Sequence, residues 1–457
     1  MLYRSYQNGV LSTLVAAEKW PQKNFVIVDD VGNINKWTAV QAPQFLEPGL
    51  PQLLAAQVGI NVNFQIPDYQ QQVNLAQMII VAVDVKTKQK GIGKRKRLDL
   101  NNWDREMRKI LIEAQQAKVI VIKSRLPPDN AITALDNIIN DVRPVNAVAN
   151  YHHIYWVPEF FSADIVRDFY LATPVGWIAN NQVIETSFSS GMVGAMGSNV
   201  ILAIHSTVMN IMSQFCETLP NGDINEVQNI VGSDQRLNGN LGVSAGFGGA
   251  GLLRDLEYFT HLAELNQNKP AAQLFESVIK CNRKHHEDIV AKMLQTINTL
   301  QNKSVCILGF SYKENTRDVA NSAAIEICKK LVLKGARPIT IYDPQVKEED
   351  VRECFRREYT QGPRERIFVA QNLDHVWLNT EVICFLQHKE QFDNLNWQHI
   401  YNQAQNHAPN QPERVVHLFD TCNVLQAQLQ NIQQLNNMHM PDPMFMIHII
   451  GRPTIRF

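Results

Sequence analysis

The sequence predicts an α/β chain of two doubly wound halves joined by a long central helix and a helical region, and three observations predict it. Short apolar runs, Phe25-Val26-Ile27-Val28, Met78 to Val83 and Val119 to Ile122, alternate with helical patterns in the N-terminal part. Buried parallel strands separated by helices have this form. Between Ser190 and Leu219, residues such as Val193, Met196, Val200, Ile204, Val208 and Phe215 recur at the spacing of one long helix. From Lys303 the alternation resumes: Ser304 to Phe310 is a buried strand running into a turn, and a helix and a second strand follow, closed by Tyr342-Asp343-Pro344. The expected boundaries are 1–188 for the first half, 189–300 for the helical region and 301–457 for the second half.

With 457 residues, 45% of them hydrophobic, the chain can bury two or three cores. Forty-three basic residues balance 44 acidic ones, so no global charge draws it to nucleic acid or to a membrane surface. The seven cysteines are scattered, without CxxC or metal-ligand spacing; a reducing compartment suits them and no metal site is expected. The start, MLYRSYQNGVLSTLV, lacks a positive segment before an apolar run of signal length, and no unbroken apolar stretch of about 18 residues occurs. A cytoplasmic location is the expectation.

Taken in order, the first informative residue is Asp29, directly after Phe25–Val28. An acid at the end of a second strand contacts ribose hydroxyls in Rossmann-like dinucleotide sites, although Asp after a strand is also a turn former. Lys86 to Arg97 holds seven basic residues in twelve, which reads as a surface loop, a binding patch or a nuclear-import signal. No aromatic is interleaved, which argues against single-stranded nucleic acid. Gly242 to Asp255, GVSAGFGGAGLLRD, has five glycines in ten residues, followed by Leu252, Leu253, Leu256 and Phe259 at helical spacing. Such a loop at a helix N-terminus holds an anion or makes a tight helix entry, and a glycine-rich connection without a ligand is the plainer alternative.

With VGSDQRLNGN before it, this loop resembles the active-site loop of the UDP-glucose/GDP-mannose dehydrogenase family, whose UDP-glucose 6-dehydrogenases read DQRIG and then GFGGSCFxKD. The resemblance extends over Glu47-Pro48-Gly49-Leu50 (EPGL), Lys123-Ser124-Arg125-Leu126-Pro127 (KSTVP), Val157-Pro158-Glu159-Phe160 (NPEF), Gly309 to Ile325 (GFAFKKDTGDTRESSSI) and Tyr342-Asp343-Pro344 (IYDPKV). It implies two Rossmann-like domains, an NAD-binding one and a UDP-sugar-binding one, joined by a central helix that forms a dimer seam. It also implies site residues: Gly9 and Asp29 toward NAD; Arg236, Phe247, Gly248, Gly249 and Asp318 toward the nucleotide sugar; Lys313 toward either; Glu159, Asn199 and Asp255 near the reaction. Arg236 matches an arginine that the family sends to the neighbouring subunit.

The departures fall on the chemistry. Gly251 stands where the family has the cysteine that holds the sugar as a thiohemiacetal and then a thioester, and Ala195 stands where it has the lysine facing the oxyanion. Arg125 replaces the water-site threonine, Ala320 a cofactor arginine, and Cys422 or Asn423 a sugar-nucleotide arginine. The GxGxxG positions fall on Arg4, Tyr6 and Gly9, so only the last glycine is kept, and the first strand shrinks to a few residues. Asn199 is kept; on an apolar helix face it is a remnant of the site or a helix–helix hydrogen bond. Arg254 keeps the charge of the family's lysine.

The chain is therefore expected to be an inactive, structural or regulatory member of that family, forming a homodimer or a hetero-oligomer with a relative. The alternative is an active NAD-dependent oxidoreductase that makes a single hydride transfer from a nucleotide sugar or another alcohol, for which Glu159, Asn199, Asp255 and Lys313 remain. A third reading is nucleotide-sugar or nucleic-acid binding without catalysis. The glutamine- and asparagine-rich stretch from Asn394 to Asn437 is read as the surface of a helix.

Overall fold

A computed structural model describes residues 2–3, 7–29, 34–35, 37, 50–65, 69–90, 94, 96–146, 152–156, 184, 186–237, 242–356, 366–405, 414–438 and 444–453. By compactness the chain divides into two units, Met1–Asn199 with Glu257–Asn268, and Val200–Leu256 with Lys269–Phe457.

The first unit is built on a six-stranded sheet of β1 (Leu2–Tyr3), β2 (Phe25–Val28), β3 (Val62–Gln65), β4 (Met78–Val81), β5 (Val119–Ile122) and β6 (His153–Trp156). The order is β3-β2-β1-β4-β5-β6, and the strands pair in parallel, with Leu2 opposite both Ile27 and Ile80. This is the doubly wound arrangement expected, and its direction reverses between β1 and β4, where ligands bind in such sheets. The apolar runs form the strands because both faces are covered. On helix Gln7–Lys19, Val10, Leu14 and Ala17 recur at helical spacing and are buried beside Ile27 and Ile80. Trp103, Met107 and Ile110 of helix Asn101–Glu113 are buried with Ile79, Val81 and Ile120. β3 and β6 were not legible. As the two edge strands they read VNFQ and HIYW, so polar residues interrupt the apolar signal.

The second unit repeats the plan with β7 (Val305–Leu308), β8 (Ile339–Tyr342), β9 (Ile367–Val369), β10 (Val382–Phe385), β11 (Val416–Asp420) and β12 (Phe445–Ile449), in the order β12-β11-β10-β7-β8-β9. Helix Ala323–Leu333 is capped by the Ser322 hydroxyl, which accepts from the Ala324 amide, and its Ile327, Cys328 and Leu331 are buried with Val305, Ile307 and Val382.

The glutamine-rich stretch needs correcting. It is not one helix surface but two helices, Trp397–Ala404 and Leu429–Met438, flanking β11. Gln428 is buried: its amide donates to the carbonyls of Phe392 (2.8 Å) and Val424 (3.2 Å), and its oxygen accepts from the Trp397 indole (3.0 Å). Asn436 is fully buried and exchanges both amide bonds with the Phe445 backbone, 2.8 and 2.9 Å. Buried amides of this kind persist because each polar atom is paired.

The long helix runs Phe188–Thr218, and an 18-residue window within it averages 1.4 in hydropathy, enough by length and composition to cross a membrane. A search for an unbroken apolar run passes over it, since Ser, Thr, Asn and Gln interrupt the sequence. Its apolar residues serve two faces. Met192, Ala195, Met196, Val200 and Ala203 are buried, whereas Ile201, Leu202, Val208 and Phe215 are exposed.

Candidate functional site

In the first unit, Asp29 follows β2 by one residue and is buried. Helix Gln7–Lys19 begins four residues after β1 ends, which places Gly9 in its first turn. Arg4 and Tyr6 lie outside the described residues, as do Glu159 and Arg95. At the ends of β4 and β5, the Ser124 hydroxyl accepts from the Val83 amide at 2.9 Å and is buried, while Arg125 beside it is half-buried. Beyond β4 the basic segment folds back on itself, with the Lys88 amide bonded to the Arg97 carbonyl and the Asp99 amide to that of Lys86, both at 2.7 Å. Lys86, Lys90 and Lys94 are exposed, Lys88, Lys96 and Arg97 are half-buried, and Lys96 pairs with Glu264. On the long helix Ala195 is 1% exposed and Asn199 is half-buried. A methyl group at Ala195 offers neither charge nor proton.

In the second unit the glycine-rich loop is held from two sides. Asn282 of helix Lys269–Ile297 grips the Phe247 backbone, its oxygen accepting from the Phe247 amide at 3.0 Å and its nitrogen donating to the Phe247 carbonyl at 3.1 Å. Asn210 accepts from the Ser244 amide at 3.1 Å, and a ring nitrogen of His285 lies 2.9 Å from the Ser244 carbonyl. On the other side, the Gly249 amide donates to the Ala320 carbonyl at 2.8 Å. Gly249 has φ +84°, and a Cβ there would lie 2.9 Å from the Tyr312 ring; at Gly248 it would lie 2.7 Å from the Asn321 carbonyl oxygen. Two of the glycines are thus required by packing within the chain as well as by any ligand.

The loop enters helix Ala250–Leu265, so Gly251 lies in its first turn. A thiolate at such a position is stabilised by the helix amides and dipole; Gly251 presents only backbone. All seven cysteines are unpaired, and burial raises the pKa of Cys216, Cys306, Cys328, Cys354, Cys384 and Cys422, which keeps those thiols protonated and weakly nucleophilic. Asp255 is fully buried and accepts from the neighbouring Arg254 guanidinium at 2.9 and 2.8 Å, so the retained charge at Arg254 neutralises it.

The loop after β7 carries Lys313 and Asp318. Lys313 is exposed, its ammonium 5.8 Å from the Tyr312 ring centroid. Asp318 shapes its own loop: its carboxylate accepts from the Ala320 amide at 2.8 Å and its carbonyl from the Tyr312 amide at 3.0 Å. Arg236 is 88% exposed and bonded to Asp234. At the end of β11, buried Asp420 accepts from the amides of Cys422 and Leu425, and Asn423 has φ +65°, a backbone state that Asn tolerates. Neither Cys422 nor Asn423 supplies a cation.

Sequence reasoning missed Asn210, Asn282 and His285, which set the loop, because a lone amide or imidazole on a long helix carries no signal of what it will grip. It also missed Lys389, buried beyond β10, whose ammonium donates to Ser311 (2.7 Å) and Gln345 (2.8 Å) and lies 3.5 Å from the Asp343 carboxylate. Asp343 in turn accepts from the Phe310 and Ser311 amides, so a buried pair of the chain's own charges lies at the carboxyl ends of β7, β8 and β10.

Comparison with known proteins agrees with this architecture. The NAD binding domain of the UDP-glucose/GDP-mannose dehydrogenase family matches residues 8–173, its central domain 193–284 and its UDP binding domain 306–427. The chain is 28% identical over 477 residues to UDP-glucose 6-dehydrogenase 4 of Arabidopsis thaliana, covering 96% of this chain and 94% of that protein. It is 27% identical over 477 residues to UDP-glucose 6-dehydrogenase 1 of Oryza sativa subsp. japonica, with the same shares. Among solved structures, a UDP-glucose dehydrogenase from the archaeon Pyrobaculum islandicum superposes with a TM-score of 0.71 at 18% identity, over 93% of this chain and 94% of that one. A UDP-D-ManNAc dehydrogenase from Pyrococcus horikoshii gives 0.71 at 15% identity over 99% of both. With its NAD binding, central and UDP binding domains matched in order along most of its length, this chain belongs to the UDP-glucose/GDP-mannose dehydrogenase family.

Proposed function

We propose that this chain is a catalytically inactive member of the family that acts as a structural or regulatory subunit in the cytoplasm. The observation that carries the reading is Gly251: oxidation of a primary alcohol to an acid in two hydride steps needs a nucleophile to hold the intermediate, and the first turn of helix Ala250–Leu265 has none. Ala195 removes the cation that would face the oxyanion. Loss of a covalent nucleophile alone costs several orders of magnitude in rate. The three-part organisation, 1–188, 189–300 and 301–457, belongs to this reading.

For NAD, the reversal of strand order between β1 and β4 and buried Asp29 support the ribose end of a site. Arg4 and Tyr6 replace the glycines that let backbone approach the pyrophosphate, which argues for weak binding. Its partner on this account is a second copy or a family relative, meeting the exposed stripe Ile201, Leu202, Val208 and Phe215. The purified chain, given UDP-glucose and NAD, is expected to form no NADH above background, and mixed with an active relative to yield hetero-oligomers in native mass spectra. Turnover by the chain alone overturns the first part, and strict self-sorting the second.

A second reading, an oxidoreductase making one hydride transfer, is favoured by the buried Arg254–Asp255 pair, which keeps a charged group of the family site in place without any thiol. It requires NAD affinity. A ligand at about 100 times its dissociation constant stabilises by roughly 2.7 kcal/mol, so a thermal shift with NAD separates the readings.

A further inference from the structure

The turn after β10 and the loop after β7 are joined by His388, whose ring lies between two carboxylates. Nδ1 is 2.6 Å from Glu314 of the β7 loop, and Nε2 is 2.7 Å from Asp393 of its own turn. A neutral imidazole carries one N–H and can donate to only one of them; the imidazolium donates to both. We propose that His388 is a pH-operated clasp on the Ser311–Asn321 loop, closed when the ring is protonated and opened when it is not.

That loop forms one wall of the glycine-rich turn. The Ala320 carbonyl takes the Gly249 amide, Asn321 donates to the Gly249 carbonyl at 3.3 Å, and the Tyr312 side chain packs on the two glycines, its Cβ toward Gly248 and its ring toward Gly249. The loop is also fastened by Arg317, which pairs with Asp350 at 2.7 Å, by Lys389, which donates to Ser311, and by Asp343, which accepts from the Phe310 and Ser311 amides. The groups facing the His388 ring are Glu314 and Asp393; the Lys389 ammonium, next in sequence, turns toward Ser311, Gln345 and Asp343, within electrostatic reach of Glu314. Partial burial disfavours charge on the ring, but Asp393 and Glu314 outweigh it, and the pKa of His388 is raised. A base whose pKa is raised by its partners holds them fully below its ordinary pKa and releases them as pH rises through the shifted one. The clasp is closed in mild acid and opens as pH rises through the raised pKa of the ring. It does not depend on whether the chain catalyses anything.

Native-state hydrogen exchange of the full chain reads it directly. Between pH 6.0 and 8.5, after correction for intrinsic exchange, protection of the Tyr312 and Ala320 amides is expected to fall several-fold in the wild type. In His388→Asn protection should be low at both pH values, with Glu314→Gln as a second variant that leaves the ring in place. Equal protection at the two pH values in the wild type overturns the proposal, as does an undiminished pH dependence in both variants.

Discussion

Asn282 and Gly249 show how single residues fix the glycine-rich loop. Asn282 satisfies both backbone groups of Phe247, and removing it leaves an amide and a carbonyl without partners in a largely buried place. Asn282→Ala is expected to cost about 2–3 kcal/mol, since each unsatisfied buried group costs roughly 1–3 kcal/mol; Asn282→Asp, which keeps the acceptor, should cost less. Urea denaturation measures both, and an unchanged midpoint for the alanine variant contradicts the clamp. At Gly249, φ +84° and the Tyr312 ring 2.9 Å from an added Cβ make Gly249→Ala destabilising by about 1–3 kcal/mol. Gly251 lies in the first turn of a helix, a conformation open to any L residue, and Gly251→Cys should fold. With Ala195 still in place, that variant is not expected to produce acid from UDP-glucose at a measurable rate.

At the scale of elements, the strands that read clearly in sequence are those with apolar residues on both faces, such as Val119–Ile122 and Val305–Leu308. Edge strands β3 and β6 were not legible because one exposed flank lets polar residues in, and β9 because three residues, IFV, are too few to carry a pattern. The candidate site was legible only where a motif marks it. GFGG, DQR and YDP located the loop, Arg236 and Asp343, whereas Gln428 and Asn436 were misread as surface because composition does not reveal which amides will be paired inside. The long helix carries its own prediction. Ile201 and Phe215 are 54% and 61% exposed on a helix whose other face is core, so an Ile201→Glu, Phe215→Glu double variant should lower the oligomeric state by sedimentation while leaving the circular dichroism unchanged. A double variant of unchanged mass rules out that stripe as a seam.

For the whole molecule, buried histidines set the response to acid. Burial lowers the pKa of His286 to about 4 and of His448 to about 3, and lowers that of His285 as well. Both ring nitrogens of His286 lack a hydrogen-bond partner among the described residues. A base with a depressed folded-state pKa is protonated first in the unfolded chain, so its contribution is fully present above about pH 6.5 and is lost as pH falls toward the folded value. At pH 5 the loss is about 2 kcal/mol for His286 and as much for His448. The urea midpoint should therefore drop between pH 7.5 and 5.0, and His286→Gln should flatten the slope; a midpoint independent of pH contradicts this. His388 acts in the opposite sense, but as a partly exposed clasp on one loop it does not offset the buried rings.

The proposed reading is of a scaffold of two doubly wound halves and a clamped loop that has no thiol at Gly251. The most direct test is to incubate the purified chain with UDP-glucose and excess NAD and to measure UDP-glucuronate by mass spectrometry, with an active relative as the positive control. The account predicts none above the no-protein blank. Product that accumulates in proportion to the amount of this chain, and survives its purification to homogeneity, contradicts it.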